Sequence, residues 1–171
     1  MRLKLSELAN IAEVIGAIAI VISLIYVGIQ VNDSTRAVRS ATANETSAAM
    51  SDWYIQLGTD QQSSNTFLTG MTAPDSLSPN DLFQFVMQTH GLFLQFQSAY
   101  YLSQEGTLDI ELQESLTNSI LGVRDQPGFL LYWDQRRGLF KPDFRDYVQS
   151  LIDTGITNRE MREIYQPSNH D

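Results

Sequence analysis

A long apolar stretch near the start of the chain constrains its fold more than any other feature. Residues Ile11–Val31 read IAEVIGAIAIVISLIYVGIQV, and only Glu13, Ser23 and Gln30 interrupt the apolar text. These 21 residues span about 31 Å as an α-helix, which matches the roughly 30 Å hydrocarbon core of a bilayer. No second stretch of the chain is comparable. The stretch therefore predicts a single transmembrane helix, with the membrane lipid bilayer as its surroundings.

Two other interpretations of this stretch are weaker. A secretory signal peptide also has a basic start and a small-residue cleavage site, here Ala41-Thr42-Ala43. The stretch is too long for a signal peptide, contains Glu13, and is separated from those alanines by Arg36 and Arg39. A buried core helix of a soluble protein is rarely apolar on every face. The membrane-spanning interpretation is therefore preferred.

The orientation of this helix depends on the positive charges that flank it. The N-terminal side carries Arg2, Lys4 and the α-amine, and the other side carries Arg36 and Arg39, which is nearly balanced. Between Arg39 and Arg124 there are nine acidic residues and no Lys or Arg. A long segment without positive charge meets little resistance to translocation. We expect the N-terminus inside and the soluble domain on the outer side of the membrane.

Small and polar residues recur along the apolar stretch at alternating spacings of three and four. Such spacing keeps residues on one face of a left-handed helix pair or bundle. Small residues on a membrane helix let another helix approach closely, since packing drives association in lipid. We predict this face to be a packing seam, either for other membrane protein subunits or for copies of the same chain, with chance occurrence as the alternative. The seam consists of Ala9, Ala12, Gly16, Ala19, Ser23, Tyr26 and Gln30.

Glu13 is the one acidic residue inside the stretch. An ionised carboxylate at the bilayer centre costs about 2.5–3.5 kcal/mol on insertion scales, and less near an interface. Glu13 lies about one turn inside the boundary. It is interpreted either as an intramembrane polar site that pairs with a partner or forms a ring of acids, or as a side chain that reaches the headgroups.

The remainder of the chain is predicted to be helical, because no alternation typical of strands extends over a useful length. The expected fold is all-α, with one N-terminal transmembrane helix extended into a small soluble helical bundle. We divide the chain into a flank and transmembrane helix (1–32), a helical extension (33–58), a soluble helical domain (59–165) and a polar tail (166–171).

Capping and proline signals place the helices of the soluble domain. Ser78 followed by Pro79 and Asp81 predicts a helix start, and Gly106 predicts the stop. That helix carries an apolar stripe, which indicates a core face, with a pigment or lipid site as the less favoured alternative: Leu82, Phe85, Val86, Thr89, Phe93, Phe96 and Tyr100. The other predicted helices cover Asp60 to Thr69, Asp109 to Gly122, Pro127 to Arg137, Pro142 to Gly155, and a last turn from Asn158 to Tyr165.

Composition and motifs exclude several classes of function. The absence of cysteine excludes disulfides, thiolate nucleophiles and cysteine-ligated metals. With 20 acidic residues against 11 basic ones and a net charge of −9, a basic nucleic-acid surface is not expected. Phosphate-binding, dinucleotide-binding, zinc-protease and serine-hydrolase motifs are missing. His90 has no acid or second histidine at ligand spacing and is interpreted as a core or rim histidine. We expect no enzymatic activity, no catalytic residues and no cofactor or metal.

The most polar short motif is Trp133-Asp134-Gln135-Arg136-Arg137. Paired arginines beside an aromatic residue are able to contact an anionic lipid headgroup or an acidic partner. Trp133, Arg136 and Arg137 are therefore candidate contact residues. The alternative is local: the arginines cover a helix C-terminus and pair with Asp134 or Asp143.

Several segments in a specific order resemble a family of small uncharacterised bacterial single-pass membrane proteins with a C-terminal helical domain. The resemblance covers most of the chain and includes Glu7–Gly16, Ser23–Gln30, Thr35–Arg39, Leu77–Pro79, Phe93–Tyr101, Gln126–Gly128 and Trp133–Phe144. It implies one membrane helix followed by a helical domain, and it implies no activity. With the orientation expected from the charges, the resemblance implies a bacterial inner (cytoplasmic) membrane protein whose soluble domain lies in the periplasm.

Together these features favour a non-catalytic accessory subunit that packs against other membrane proteins in a larger complex, with an energy-converting complex as one candidate. The alternative is a homo-oligomeric, membrane-anchored sensor or regulator whose helical domain binds an apolar ligand or a protein partner.

Overall fold

The structure is a computed structural model that describes residues 5–155, with side chains described from Ala9 onward. Every regular element in this range is helical, so the all-α prediction is confirmed. The predicted turn from Asn158 to Tyr165 and the predicted tail at 166–171 lie outside the described residues. The helices are α1 (Leu5–Thr59), α2 (Gln61–Thr72), α3 (Pro79–Gln104), α4 (Ile110–Val123), α5 (Pro127–Arg136) and α6 (Pro142–Asp153), with 3₁₀ turns at Pro74–Ser76 and Arg137–Leu139.

The chain divides into two compact units, one that ends at Ala41 and one that begins at Thr42. Helix α1 contributes residues to both units and continues through the predicted boundary at residue 32. Within the first unit every described side chain, from Ala9 to Ala41, is exposed. This unit therefore has no hydrophobic core of its own among the residues whose side chains are described.

Short polar side chains start three helices of the second unit at the predicted positions. The Ser63 N–H donates to Asp60 Oδ2 (2.7 Å), the Asp81 N–H to Ser78 Oγ (3.2 Å), and the Glu111 N–H to Asp109 Oδ1 (2.9 Å). Each bond satisfies a backbone donor that the helix itself leaves unpaired. These caps fix where α2, α3 and α4 begin.

Proline and glycine fix further helix ends. Pro79, Pro127 and Pro142 occupy the first position of α3, α5 and α6, where the missing N–H costs nothing. Gly106 follows α3 with φ +71°, a conformation that strains other residues. The predicted stop at Gly106 is therefore confirmed.

Helix α2 extends beyond its predicted end. The sequence predicted a helix that ends at Thr69, whereas α2 continues to Thr72. The reason is tertiary packing: Phe67, Gly70 and Met71 are buried, and a Cβ on Gly70 would lie 2.3 Å from Phe85 Cδ2. Gly70 is thus a contact point inside a helix, which outweighs its low helix propensity.

Gly128 of α5 packs against the same point of α2. A Cβ built on Gly128 would lie 1.8 Å from Gly70 O and 2.7 Å from Met71 Cα, both of which are backbone atoms. The two helices approach so closely that only glycine fits at Gly128.

The core of the second unit consists mainly of aromatic rings. Phe93 lies at its centre, with ring centroids 5.7 Å from Phe129, 5.3 Å from Tyr132, 5.9 Å from Trp133 and 6.2 Å from Phe140. The predicted core role of the α3 stripe is confirmed, because its central residues are at most 5% exposed, namely Phe85, Val86, Thr89, Phe93 and Phe96.

A polar network joins α3, α4 and α6 beside this core. Ser103 Oγ donates to the side-chain oxygen of buried Gln113 (3.0 Å), and Gln113 Nε2 donates to Tyr147 OH (3.2 Å). Tyr147 OH also contacts the Thr117 hydroxyl. Gln113 therefore has partners on both sides, as a buried amide requires.

Replacement of Gly128 by alanine tests the close approach of α2 and α5. Because the new Cβ meets backbone atoms that cannot rotate away, we expect Gly128→Ala to lower the free energy of unfolding by roughly 3 kcal/mol. Denaturant unfolding of the full chain in detergent, followed by tryptophan fluorescence, measures this change.

Gly91→Ala is the matched control, since no atom lies within 4 Å of a Cβ at Gly91. Its free energy of unfolding should be unchanged or higher, by up to about 1 kcal/mol. Equal stabilities of the two alanine variants would contradict the close approach.

Candidate functional site

Helix α1 presents the first candidate site, the predicted seam. Ala9, Ala12, Gly16, Ala19, Ser23, Tyr26 and Gln30 are all exposed along this one helix. No atom lies within 4 Å of a Cβ built on Gly16. Among the described residues, one helix is long and apolar enough to cross a membrane, and its mean hydropathy reaches 2.5 over 18 residues. The seam is therefore open to a partner along the apolar part of α1.

Glu13 is exposed on the same apolar helix. It forms no ion pair with any other described residue.

Trp133 occupies a different environment from the one that the sequence indicated. Its side chain is 3% exposed, and its ring lies 5.8 Å from the Phe140 ring in a stacked arrangement. Trp133 Nε1 donates to Gln149 Oε1 of α6 (3.0 Å). The prediction that Trp133 contacts a partner or lipid is wrong, because the ring is part of the core.

The two arginines beside Trp133 are more accessible. Arg136 is half-buried, and Arg137 is exposed. Arg137 Nη2 lies 3.5 Å from Asp134 Oδ1, as the local interpretation of this motif predicted. Both groups are largely exposed, so this ion pair contributes little to stability.

Arg137 borders an open groove between the end of α5 and α6. The groove has a volume of about 570 Å³ and is lined by Asp134, Gln135, Arg137, Gly138, Arg145, Asp146 and Gln149. Arg145 Nε donates to Asp146 Oδ1 (3.2 Å), so each arginine has an aspartate beside it. The lining is balanced in charge and does not form a concentrated anion site.

Arg145 was not predicted to be a neighbour of Arg137. The two residues come from different elements, and only the packing of α6 against α5 brings them to one groove. The bond from Trp133 to Gln149 ties those two helices together. No signal within the sequence indicated that pairing.

His90 lies on α3 next to a buried tyrosine. Its Nδ1 is 3.1 Å from Tyr132 OH, and its ring centroid is 5.2 Å from that of Phe140. Burial lowers the pKa of His90, and the positive charge of Arg136 lowers it further. Burial also raises the pKa of Tyr132, so its hydroxyl stays protonated. His90 is thus a rim histidine, as predicted.

The described residues form no metal site, and the space beside the α3 stripe is small. No group of three or more His, Asp or Glu side chains among them is arranged to hold a metal ion. The space beside Phe93 and Phe96 has a volume of only about 30 Å³. That volume holds about one water molecule and does not favour an apolar ligand.

Comparison of the chain with known protein families, with curated proteins and with solved structures found no match. The family resemblance stated above therefore stays a prediction, and function is argued from the residues alone.

The pKa of His90 predicts a pH dependence of stability. The folded protein binds a proton at His90 less readily than the unfolded chain, whose histidine pKa is about 6.5. The free energy of unfolding should therefore fall as the pH is lowered through about 6.5, and recover as the pH is raised. Denaturant unfolding of the full chain at about pH 7.5 and about pH 5.5 measures this difference.

His90→Gln supplies the control, because it keeps a polar side chain near Tyr132 OH and removes the titrating group. The free energy of unfolding should differ less between the two pH values in His90→Gln than in the original chain. If the free energy of unfolding changed equally with pH in both proteins, titrating groups other than His90 would be responsible.

Proposed function

We propose that this chain is a single-pass membrane protein of the bacterial inner membrane. One observation carries the proposal: thirteen large apolar side chains between Ile11 and Val31 are 49–66% exposed. Complete transfer of a Val, Leu or Ile side chain from water to an apolar environment stabilises by roughly 1.5–3 kcal/mol. A bilayer covers such side chains on all faces of a helix, and α1 is long enough to cross it.

We further propose a non-catalytic role as an accessory subunit that packs against other helices in a larger membrane complex. The support is the exposed seam of α1, because helix association in lipid depends on close packing of small residues. An energy-converting complex is one candidate. The polar side chains of the groove and of the Gln113 network have partners within the domain, which supports a structural role.

A homo-oligomer is the second candidate, since the same seam fits another copy of the chain. The role as a sensor of apolar ligands receives less support, because the space beside Phe93 and Phe96 is small. The two candidates differ in whether the partner of the seam is the same chain or a different one.

The identity of the seam's partner is tested by extraction of native membranes with a mild detergent, native gel separation and mass spectrometry. An accessory subunit migrates with unrelated membrane proteins at a fixed ratio, whereas a homo-oligomer migrates alone at a multiple of 19.3 kDa. Ala19→Leu should weaken either band by about tenfold, because overpacking of about 1.4 kcal/mol corresponds to that factor.

Ala17→Leu is the matched control for Ala19→Leu. The substitution is chemically identical, and Ala17 lies on the opposite side of the helix, since two residues turn an α-helix by about 200°. If the band weakened equally in both variants, or in neither variant, the seam would not be the surface that contacts the partner.

The proposed orientation places the soluble domain in the periplasm. It is supported by the lack of Lys and Arg between Arg39 and Arg124. Because the chain has no cysteine, single cysteines report the side of the membrane without background. We expect Asn118→Cys, exposed on α4, to react with an impermeant maleimide in cells whose outer membrane is permeabilised.

Ser6→Cys should react only after the inner membrane is broken, since it precedes the apolar stretch. The opposite pattern of labelling would place the domain in the cytoplasm and leave the membrane-spanning proposal intact.

A further inference from the structure

Two side chains able to carry positive charge meet where the end of α5 lies beside α3. His90 of α3 and Arg136 of α5 are both half-buried. Tyr132 and Arg136 are four residues apart, so they share the face of α5 on which Tyr132 OH lies 3.1 Å from His90 Nδ1. After burial, the charge of Arg136 is the second cause that lowers the pKa of His90. The remaining neighbour of the imidazole ring is Phe140, which is uncharged.

Arg136 differs from the other arginines near the end of α5 in its surroundings. Arg137 and Arg145 each have an aspartate beside them. Among the described residues, no Asp or Glu lies within ion-pair distance of Arg136. Helix α3 supplies no carboxylate either, since residues 82–104 include no Asp or Glu. In a chain of net charge −9, His90 and Arg136 therefore form a local concentration of positive charge.

Lys141 adds a cation to the same side of α3. Its backbone N–H donates to Gln97 Oε1 (2.9 Å), and its ammonium lies 4.4 Å from the centre of the Tyr101 ring. Tyr101 is 11 residues beyond His90, or about three helical turns. Lys141 thus raises the electrostatic potential of this side and attracts anions, but it does not share a contact with His90.

The hydrogen bond to Tyr132 determines which nitrogen of neutral His90 carries the proton. Burial raises the pKa of Tyr132, so its hydroxyl stays protonated. No other described residue hydrogen-bonds this hydroxyl, so it donates to His90 Nδ1. The ring proton is then on Nε2, and no described residue accepts a bond from Nε2. Nε2–H is therefore available as a donor to a ligand.

We propose that Arg136 and His90 together bind a phosphate group. The planar guanidinium donates to two oxygens of an oxyanion at once, and Nε2–H of His90 supplies a further donor from a second helix. A carboxylate has only two oxygens, and the guanidinium occupies both. A tetrahedral phosphate has an additional oxygen for His90. Inorganic phosphate and a phospholipid headgroup share this chemistry.

This binding depends on the protonation of His90. An anion beside the ring favours the imidazolium form, and it offsets the repulsion by which Arg136 opposes protonation. A tetrahedral oxyanion should therefore bind more tightly as the pH is lowered through the range in which histidine titrates. The proposal does not rest on the seam of α1, and its failure would leave the role of the seam unchanged.

NMR of the full chain in a maltoside detergent tests the site. His170→Gln leaves His90 as the only histidine, so a ¹³C-labelled ring reports on it alone. Sulfate is the probe, because it is tetrahedral and keeps the same charge over the pH range used, and sodium chloride at equal ionic strength is the control. Sulfate should shift the His90 resonance to saturation, at lower concentration at about pH 5.5 than at about pH 7.5.

Substitutions of the two neighbouring arginines separate the site from general attraction of anions. Arg136→Gln should weaken sulfate binding by about tenfold, because it removes the charged donor. Arg136→Lys keeps the charge and loses the planar pair of donors, so its affinity should lie between the two. Arg137→Gln is the matched control and should bind sulfate as the original chain does, since Arg137 is exposed and paired with Asp134.

The full chain in phosphatidylglycerol bilayers identifies the source of the phosphate group. A lipid headgroup at the site would hold the His90 resonance at its bound position without any added anion. If free phosphate is the ligand, the resonance starts at the unbound position and shifts when inorganic phosphate is added. Either result supports the site.

Two results would overturn the phosphate site. One is a His90 resonance that sulfate shifts no further than chloride does at equal ionic strength. The other is equal weakening of sulfate binding by Arg136→Gln and Arg137→Gln, because it would mean that the anion responds to overall charge and not to Arg136.

Discussion

The packing of aromatic rings around Phe93 holds the helices of the second unit together. Phe93 comes from α3, and its neighbours Phe129, Tyr132 and Trp133 come from α5. Ring pairs of this kind contribute about 0.5–1.5 kcal/mol each beyond the burial of their area. The rings reach one another only if α5 lies deep in the domain, and the backbone contact of Gly128 with Gly70 of α2 permits that depth. Other features of the domain follow from this arrangement.

Local signals predicted the helices well because their causes are local. Asp60, Ser78 and Asp109 cap helices through bonds to residues two or three positions ahead, and such bonds form from neighbouring sequence alone. The core role of the α3 stripe was predictable for the same reason, since its periodicity is a property of one helix. These predictions needed no knowledge of which helices are neighbours.

Tertiary contacts could not be predicted in the same way. The helix α2 was predicted to end at Thr69, before the contact of Gly70 with Gly128. Trp133 was predicted to contact a partner or lipid, whereas its ring packs against Phe93 and Phe140. The groove shared by Arg137 and Arg145 exists because α6 packs beside α5. In each case the deciding partner is distant in sequence.

Charged residues are distributed unevenly along the chain. The two longest runs without Asp, Glu, Lys or Arg are residues 14–32 in α1 and residues 82–104 in α3. Most of the acidic residues that give the chain its net charge of −9 lie between and after these runs. Net charge of one sign keeps molecules apart, and it does so least where a surface is uncharged. The uncharged stretch of α1 is suited to lipid and to other membrane helices, because both exclude charge.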